Sequence, residues 1–128
     1  MSEPVWLGQA ECLAIHDELL ARFGGLAGVR DGDLLDSALQ RPRQLHAYGT
    51  PSLPELAAAY AAGIVRNHPF LDGNKRTGFL LAALFLESNG HIFGASEESV
   101  VLHTLRLAAG DETEADYAAW LAANAAPS

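Results

Sequence analysis

A single cysteine, Cys12, leaves the chain without any internal disulfide, and its start, Met1-Ser-Glu-Pro4, lacks the basic and apolar regions of a secretory leader. Both absences predict a cytoplasmic protein. Its longest apolar runs, near residues 57–65 and 79–86, fall short of the roughly 20 residues that span a bilayer, so no membrane role is expected. Basic residues are scarce: 8 Lys and Arg stand against 16 Asp and Glu, a net charge of −8. That balance excludes a broad phosphate-contacting face, so direct nucleic-acid binding is not expected. β-Branched residues are few beside Ala and Leu, which argues against a sheet-built core and predicts an all-α protein. With 128 residues, one domain covering positions 1–128 is expected, burying about two-thirds of its unfolded surface.

The charge is unevenly placed. Between Ser37 and Leu86 stand Arg41, Arg43, Arg66, Lys75 and Arg76 against Glu55 and Asp72, so this half is +3 and the rest −11. The middle of the chain is where a small anion would be attracted.

Hydrophobic periodicity and capping residues predict about six helices. The first covers about 9–22, with Leu13, Leu19, Leu20 and Phe23 on one stripe, His16 at the edge of the core, and Gly24-Gly25 as its stop. Residues 25–32 read as turns, lacking the glycine order of a phosphate-binding loop. Asp31 or Asp33 caps a short second helix that is predicted to stop before Pro42. Residues 43–52 then read as a loop or small hairpin: either a plain surface connection or a flap holding an extended peptide by strand addition. Ser52-Leu-Pro-Glu55 is a capping box opening a third, Ala-rich central helix that must end near His68, because Pro69 follows. The fourth helix covers about 74–88, with Phe79, Leu80, Ala83, Leu84 and Leu86 buried. The fifth runs from Ser96 to about 109 on an apolar face of Val100, Val101, Leu105 and Leu107. Thr113 caps the last, and the Ala-Pro-Ser tail is expected to fray. Trp6 and Trp120 read as core anchors, and His91 and His103 carry no assigned chemistry.

Chemistry-bearing residues gather in Asn67-His-Pro-Phe-Leu-Asp-Gly-Asn-Lys-Arg-Thr-Gly78. Lys75 and Arg76 lie in the first turn of a helix, where positive charge is unfavourable by roughly 0.3–1 kcal/mol each unless an anion offsets it. A phosphate would do so, bonding the amides of Gly73, Asn74 and Lys75. Asp72 either caps the fourth helix or holds Mg²⁺ beside that phosphate. His68 sits at the carbonyl end of the third helix, where it either caps those carbonyls or serves as a general base. Phe70 reads as a buried anchor, and the Asn74 carboxamide bonds either backbone or phosphate. Together these residues predict nucleotide-dependent transfer to a hydroxyl.

The run His68-Pro-Phe-Leu-Asp-Gly-Asn-Lys-Arg76 resembles the Fic/Doc family signature, His-x-Phe-x-Asp/Glu-Gly-Asn-x-Arg, at every defined position. The resemblance extends from Ile15-His-Asp-Glu-Leu-Leu20 through Ala38-Leu-Gln-Arg-Pro42 to the last helix. It implies a compact helical bundle with His68 as base, Asp72 binding Mg²⁺, and Arg66, Gly73, Asn74, Lys75 and Arg76 around the phosphates of ATP, with Pro69 and Phe70 structural. Two positions resemble the Doc (death on curing) branch: Lys75 stands where AMP-transferring Fic enzymes have glycine, and Phe79 where they have a second arginine. That branch implies a toxin that moves the γ-phosphate of ATP to a threonine of elongation factor Tu and so blocks translation. It also implies an antitoxin, Phd-like, whose C-terminal segment folds over the toxin. The alternatives are an AMP transferase and a binding protein that keeps the motif without turnover. The glutamate-bearing inhibitory motif of Fic enzymes is not apparent, so regulation would come from a partner.

Overall fold

A computed structural model describes residues 3–128. Its helices are α1 (Gln9–Phe23), α2 (Gly32–Tyr48), α3 (Leu53–Asn67), α4 (Asn74–Ser88), α5 (Glu97–Ala109) and α6 (Glu114–Ala123), joined by two short strands, β1 (His91–Phe93) and β2 (Ala125–Pro127). The all-α expectation holds. Among the described residues, no helix is long and apolar enough to cross a membrane.

α3 lies at the centre, packed on α2, α4 and α6, and every residue from Leu56 to Val65 is buried. Small side chains make this possible. At Gly63 an added Cβ would come within 3.0 Å of the Ala38 Cβ on α2, and at Gly78 on α4 it would meet the Ala61 carbonyl at 3.1 Å and a Val65 methyl at 2.9 Å. The backbones of α2, α3 and α4 therefore approach as closely as helices with Cβ-bearing residues could not. α3 opens on the expected capping box, with the Ser52 hydroxyl accepting from the Glu55 amide at 3.2 Å and the Glu55 carboxylate accepting from the Ser52 amide at 3.1 Å.

Five expectations need correction. α2 does not stop before Pro42 but continues through Tyr48 with the proline buried inside it. An interior proline costs about 3 kcal/mol of helix stability, and long-range contacts hold the second half in place: Arg41 pairs with Glu114 of α6, the Arg43 guanidinium sits 5.4 Å over the Trp6 ring, and His46 meets the same ring edge-on at 5.4 Å. With residues 43–48 helical, the loop or small hairpin expected over 43–52 is reduced to a plain connection at residues 49–52. The C-terminal tail is not frayed: β2 pairs antiparallel with β1, Ile92 opposite Ala126, and the Ser128 amide bonds the Gly90 carbonyl at 2.9 Å. On α5 the buried residues are Thr104 and Leu107, whereas Val101, Leu102 and Leu105 are exposed. On α1 Leu19 is buried as expected, joined by Cys12 and His16, whereas Leu13 and Leu20 are half-buried and Phe23 is exposed.

Glu112, a carboxylate that sequence would place in water, is buried and accepts from the His103 imidazole at 2.9 Å, with Arg106 at 3.7 Å. His103 in turn stacks on Trp120 with ring centroids 4.7 Å apart. This cluster joins α5 to α6.

Gly78→Ala is expected to lower stability by about 1–3 kcal/mol, because overpacking against the Ala61 backbone outweighs the helix propensity that alanine brings. Gly32→Ala, where an added Cβ meets nothing within 4 Å, is expected to be neutral or stabilising. Urea unfolding midpoints check both; a Gly78→Ala protein as stable as the parent would contradict the packing argument.

Candidate active site

The α3–α4 connection, residues 68–73, is short and loaded with peptide groups that neither helix can bond, and its shape follows from how they are satisfied. The Asn74 side chain is buried, 3% exposed, and grips one residue: its oxygen accepts from the Phe70 amide and its nitrogen donates to the Phe70 carbonyl, both at 3.0 Å. Phe70 is buried beneath the turn, with the His16 ring stacked on it at 3.9 Å and nearly parallel. His16 Nε2–H donates to the Asp72 carbonyl at 2.8 Å. His16 is thus a buried support of the turn rather than a core-edge residue.

A second chain segment closes over the turn from outside. Val29 forms a β-bridge with Phe70, the Arg30 and Asp31 amides bond the Pro69 carbonyl at 2.6 and 3.0 Å, and the Leu71 amide bonds the Gly28 carbonyl at 3.1 Å. Arg30 extends its guanidinium to the end of α3, with Nε 2.7 Å from the His68 carbonyl and Nη2 3.0 Å from that of Asn67. Sequence reasoning missed Arg30 altogether: its partners lie more than thirty-five positions away, and no local pattern marks it.

His68 is the C-cap of α3 in left-handed conformation (φ 52°, ψ 53°), the sole non-glycine with positive φ among the described residues. Because Arg30 caps the carbonyls, the imidazole is not used for that purpose, and among the described residues no hydrogen bond holds it. It is exposed and faces a cavity of about 500 Å³ that it lines together with Asp72, Gly73, Lys75 and Arg76. The rest of the lining is largely apolar, with Phe23, Leu80, Val101 and Leu105, and carries one carboxylate, that of Glu97.

Asp72 is fixed at both oxygens: Oδ1 accepts from the Gly73 amide at 2.9 Å and Oδ2 from the Leu26 amide at 3.3 Å. A Cβ at Gly25 would lie 2.6 Å from Oδ2, so the glycine lets the 25–28 segment wrap this carboxylate. The N-cap of α4 is Gly73, in left-handed conformation and without a side-chain cap. The Gly73 amide is spent on Asp72, and among the described residues no protein acceptor reaches those of Asn74, Lys75 and Arg76. The free amides at the start of α4 are therefore those of Asn74, Lys75 and Arg76, one residue further along than the 73–75 set expected to meet a phosphate. Lys75 is exposed, and the Arg76 guanidinium rests 4.3 Å over the Phe23 ring.

Of the residues singled out by sequence, His68, Asp72, Gly73, Asn74, Lys75 and Arg76 line this cavity, with Pro69 and Phe70 buried behind it. Two side chains are engaged elsewhere. The Asn74 side chain is consumed by Phe70, which realises the backbone alternative over the phosphate one. Arg66 does not line the cavity; its Nη1 lies 3.7 Å from Glu114, which also binds Arg41. Arg41 and Glu114 line a larger, open groove of about 830 Å³ between α2 and α6, where they are paired with each other, and none of the motif residues takes part. The Cys12 thiol is buried and its pKa is pushed up to about 12 by desolvation, which removes it from thiolate chemistry.

No group of three or more metal-ligating side chains exists among the described residues. A Mg²⁺ held by Asp72 would thus take its other ligands from phosphate oxygens and water, the arrangement that this ion favours. The fixed, solvent-facing Asp72 carboxylate beside free α4 amides fits such a shared site.

A model of the Fic/DOC family matches residues 6–86. Toxin Doc of Mycolicibacterium smegmatis is 48% identical over 71 residues, which cover 53% of this chain and 54% of that protein. Protein kinase doc of Escherichia phage P1 is 37% identical over 89 residues, covering 68% and 71% respectively. The chain thus spans about half the length of the first of these relatives and over two-thirds of the second.

Asn74→Ala is expected to destabilise the protein by about 2–4 kcal/mol, since it strands the Phe70 amide and carbonyl at roughly 1–3 kcal/mol per buried group. Denaturant unfolding measures this; a loss below about 0.5 kcal/mol would mean that the Phe70 peptide is satisfied some other way.

Proposed function

The chain belongs to the Fic/DOC family, and on that premise we propose that it is a Doc-type toxin that transfers the γ-phosphate of ATP to a threonine hydroxyl of a translation factor, elongation factor Tu being the first candidate. The names of its relatives, a toxin and a protein kinase, support this reading at the level of class.

In this mechanism the acceptor hydroxyl enters from the solvent side of His68. The imidazole takes its proton as the hydroxyl oxygen bonds to the γ-phosphorus and the bond to the β–γ bridging oxygen breaks, releasing ADP. Lys75, Arg76 and the amides at the start of α4 hold the phosphate oxygens and stabilise their developing charge. Asp72 would hold a Mg²⁺ ion shared with the phosphates, which would supply charge neutralisation for the transferred group. Arg76 would leave the Phe23 ring to do this, at a cost of about 0.5–1 kcal/mol for the exposed cation–π contact, which a charge-assisted phosphate bond exceeds.

One observation favours γ-phosphate over AMP transfer. Phe79, on the α4 turn after Arg76, is committed to an aromatic cluster, edge-on to Phe93 at 5.6 Å and tilted to Trp120 at 6.3 Å. No guanidinium stands where a second phosphate arginine would be needed, and Lys75 adds a positive chain on the near side instead.

A toxin of this kind implies an antitoxin. The exposed apolar strip of Val101, Leu102 and Leu105 on α5, continuous with the apolar wall of the cavity, is the surface we assign to it.

Incubating the protein and elongation factor Tu with ATP labelled at either the α or the γ phosphate tests the reaction. Label is expected from the γ position alone, and α-label transfer alone would replace this reading with AMP transfer. His68→Ala is expected to lower transfer at least about 10²-fold and to relieve growth arrest on expression without antitoxin. Equal arrest by parent and His68→Ala would indicate a binding protein.

A further inference from the structure

We infer that Arg30 is a positioning residue for His68: by bridging the main-chain carbonyls of Asn67 and His68, its guanidinium fixes the left-handed turn that presents the imidazole to the cavity. The inference rests on His68 being the base of the proposed transfer.

Three successive carbonyls at the end of α3 face the 28–31 segment and accept four donors. Arg30 Nε and Nη2 take those of His68 and Asn67, while the Arg30 and Asp31 amides share that of Pro69. The grip is anchored at its far side, because Asp31 is the N-cap of α2, its carboxylate accepting from the Leu34 amide at 3.1 Å. The first turn of α2 also receives the Asn67 side chain, whose nitrogen donates to the Leu34 carbonyl at 2.9 Å.

Between these fixed points, residue 68 adopts a conformation that costs a side-chain-bearing residue about 1–3 kcal/mol and persists only where its surroundings over-determine it. The His68 amide stays bonded to the Ile64 carbonyl at 3.1 Å, so the position of its own carbonyl sets the remaining freedom of this residue. Arg30 holds that carbonyl. Without the guanidinium the last turn of α3 can open, freeing the His68 amide from the Ile64 carbonyl and letting φ vary, and the imidazole swings with it.

Only arginine suits this role. The Nε and Nη2 donors form a planar fork that spans two carbonyls at once, whereas a lysine ammonium is a point charge on a flexible stem. Arg30 is exposed and lies outside the cavity lining, so its contribution reaches the reaction through backbone geometry and not through contact with nucleotide. The main-chain bonds of residues 30 and 31 do not depend on the side chain, so substitution removes the guanidinium bridge and leaves the clasp itself.

The experiment compares Arg30→Ala and Arg30→Lys with the parent. NMR gives the amide-exchange protection and the φ-sensitive HN–Hα coupling at His68. Isotope transfer gives kcat and KM, and titration gives nucleotide affinity. In both variants His68 is expected to lose protection and its single coupling value while the Lys75 and Arg76 amides keep theirs. Nucleotide affinity should stay within about twofold and kcat should fall about tenfold or more, since a displacement near 1 Å of a catalytic group can cost as much as 100-fold. Unchanged protection and coupling at His68 overturn the inference whatever the activity. Full rescue by Arg30→Lys, or an equal loss of nucleotide affinity and kcat, also overturns it. Should the parent itself transfer no label, the proposed function fails, and the NMR comparison alone decides for or against Arg30.

Discussion

A connection of six residues between two buried helices has to satisfy its own peptide groups, and the Asn74 side chain meets the central part of that demand. By closing a two-way bond on Phe70, it ties the first residue of α4 to the middle of the turn. The residues proposed to act on the nucleotide stand on either side of that knot: His68 before it, Asp72, Lys75 and Arg76 after it. The bond is buried, so it is not exchanged for water, and losing either half leaves a desolvated amide or carbonyl. The cavity wall built from the end of one helix and the start of the next keeps its shape because this carboxamide keeps the two termini together.

The rest of the fold holds those termini in place. α3 and α4 cannot drift apart or slide without separating Gly78 from the Ala61 backbone, a contact that tolerates almost no added atom. α2 is locked to α3 by the same means at Gly63 and Ala38. Small residues thus exchange side-chain volume for proximity, and the helix ends inherit a precision that long flexible side chains would not provide. The polar clasps of His16 and Arg30 then fix the loop from below and from outside, one through the Asp72 carbonyl and the other through those of Asn67 and His68.

Local signals in the sequence were the reliable ones. Helices α1, α3, α4 and α5 end where capping serines, prolines and glycines place them, because a cap is read by its own neighbours within four residues. α2 ran past Pro42 because its second half is held by Trp6 and Glu114, partners far along the chain that no window of sequence contains. The tail became a strand for the same reason, through a partner thirty or more positions earlier. The site divides along the same line. His68, Asp72, Lys75 and Arg76 were legible as a motif, and they do converge. The commitment of Asn74 to Phe70, the pairing of Arg66 with Glu114, and the whole of Arg30 depend on three-dimensional neighbours. Glu112 shows the limit most plainly: an acidic residue between a glycine turn and a capping threonine reads as solvated, yet His103 and Arg106 draw it inside.

Electrostatics narrows the class of ligand further. An acidic chain of net charge −8 carries two adjacent cations, Lys75 and Arg76, at a helix N-terminus whose own amides add partial positive charge. At physiological salt, fields fade over about 8 Å, so a small anion inside the cavity senses those cations and amides, with Asp72 and Glu97 of the lining, strongly and the carboxylates outside it weakly. A long polyanion would have to lie across the acidic surface as well, losing outside what it gains within. Asp72 refines the choice, because a carboxylate fixed among cations repels a bare phosphate but welcomes one that brings a divalent ion with it. The charge pattern therefore favours a short, metal-bearing polyphosphate over either free phosphate or nucleic acid, and it does so with side chains that the turn itself holds in register.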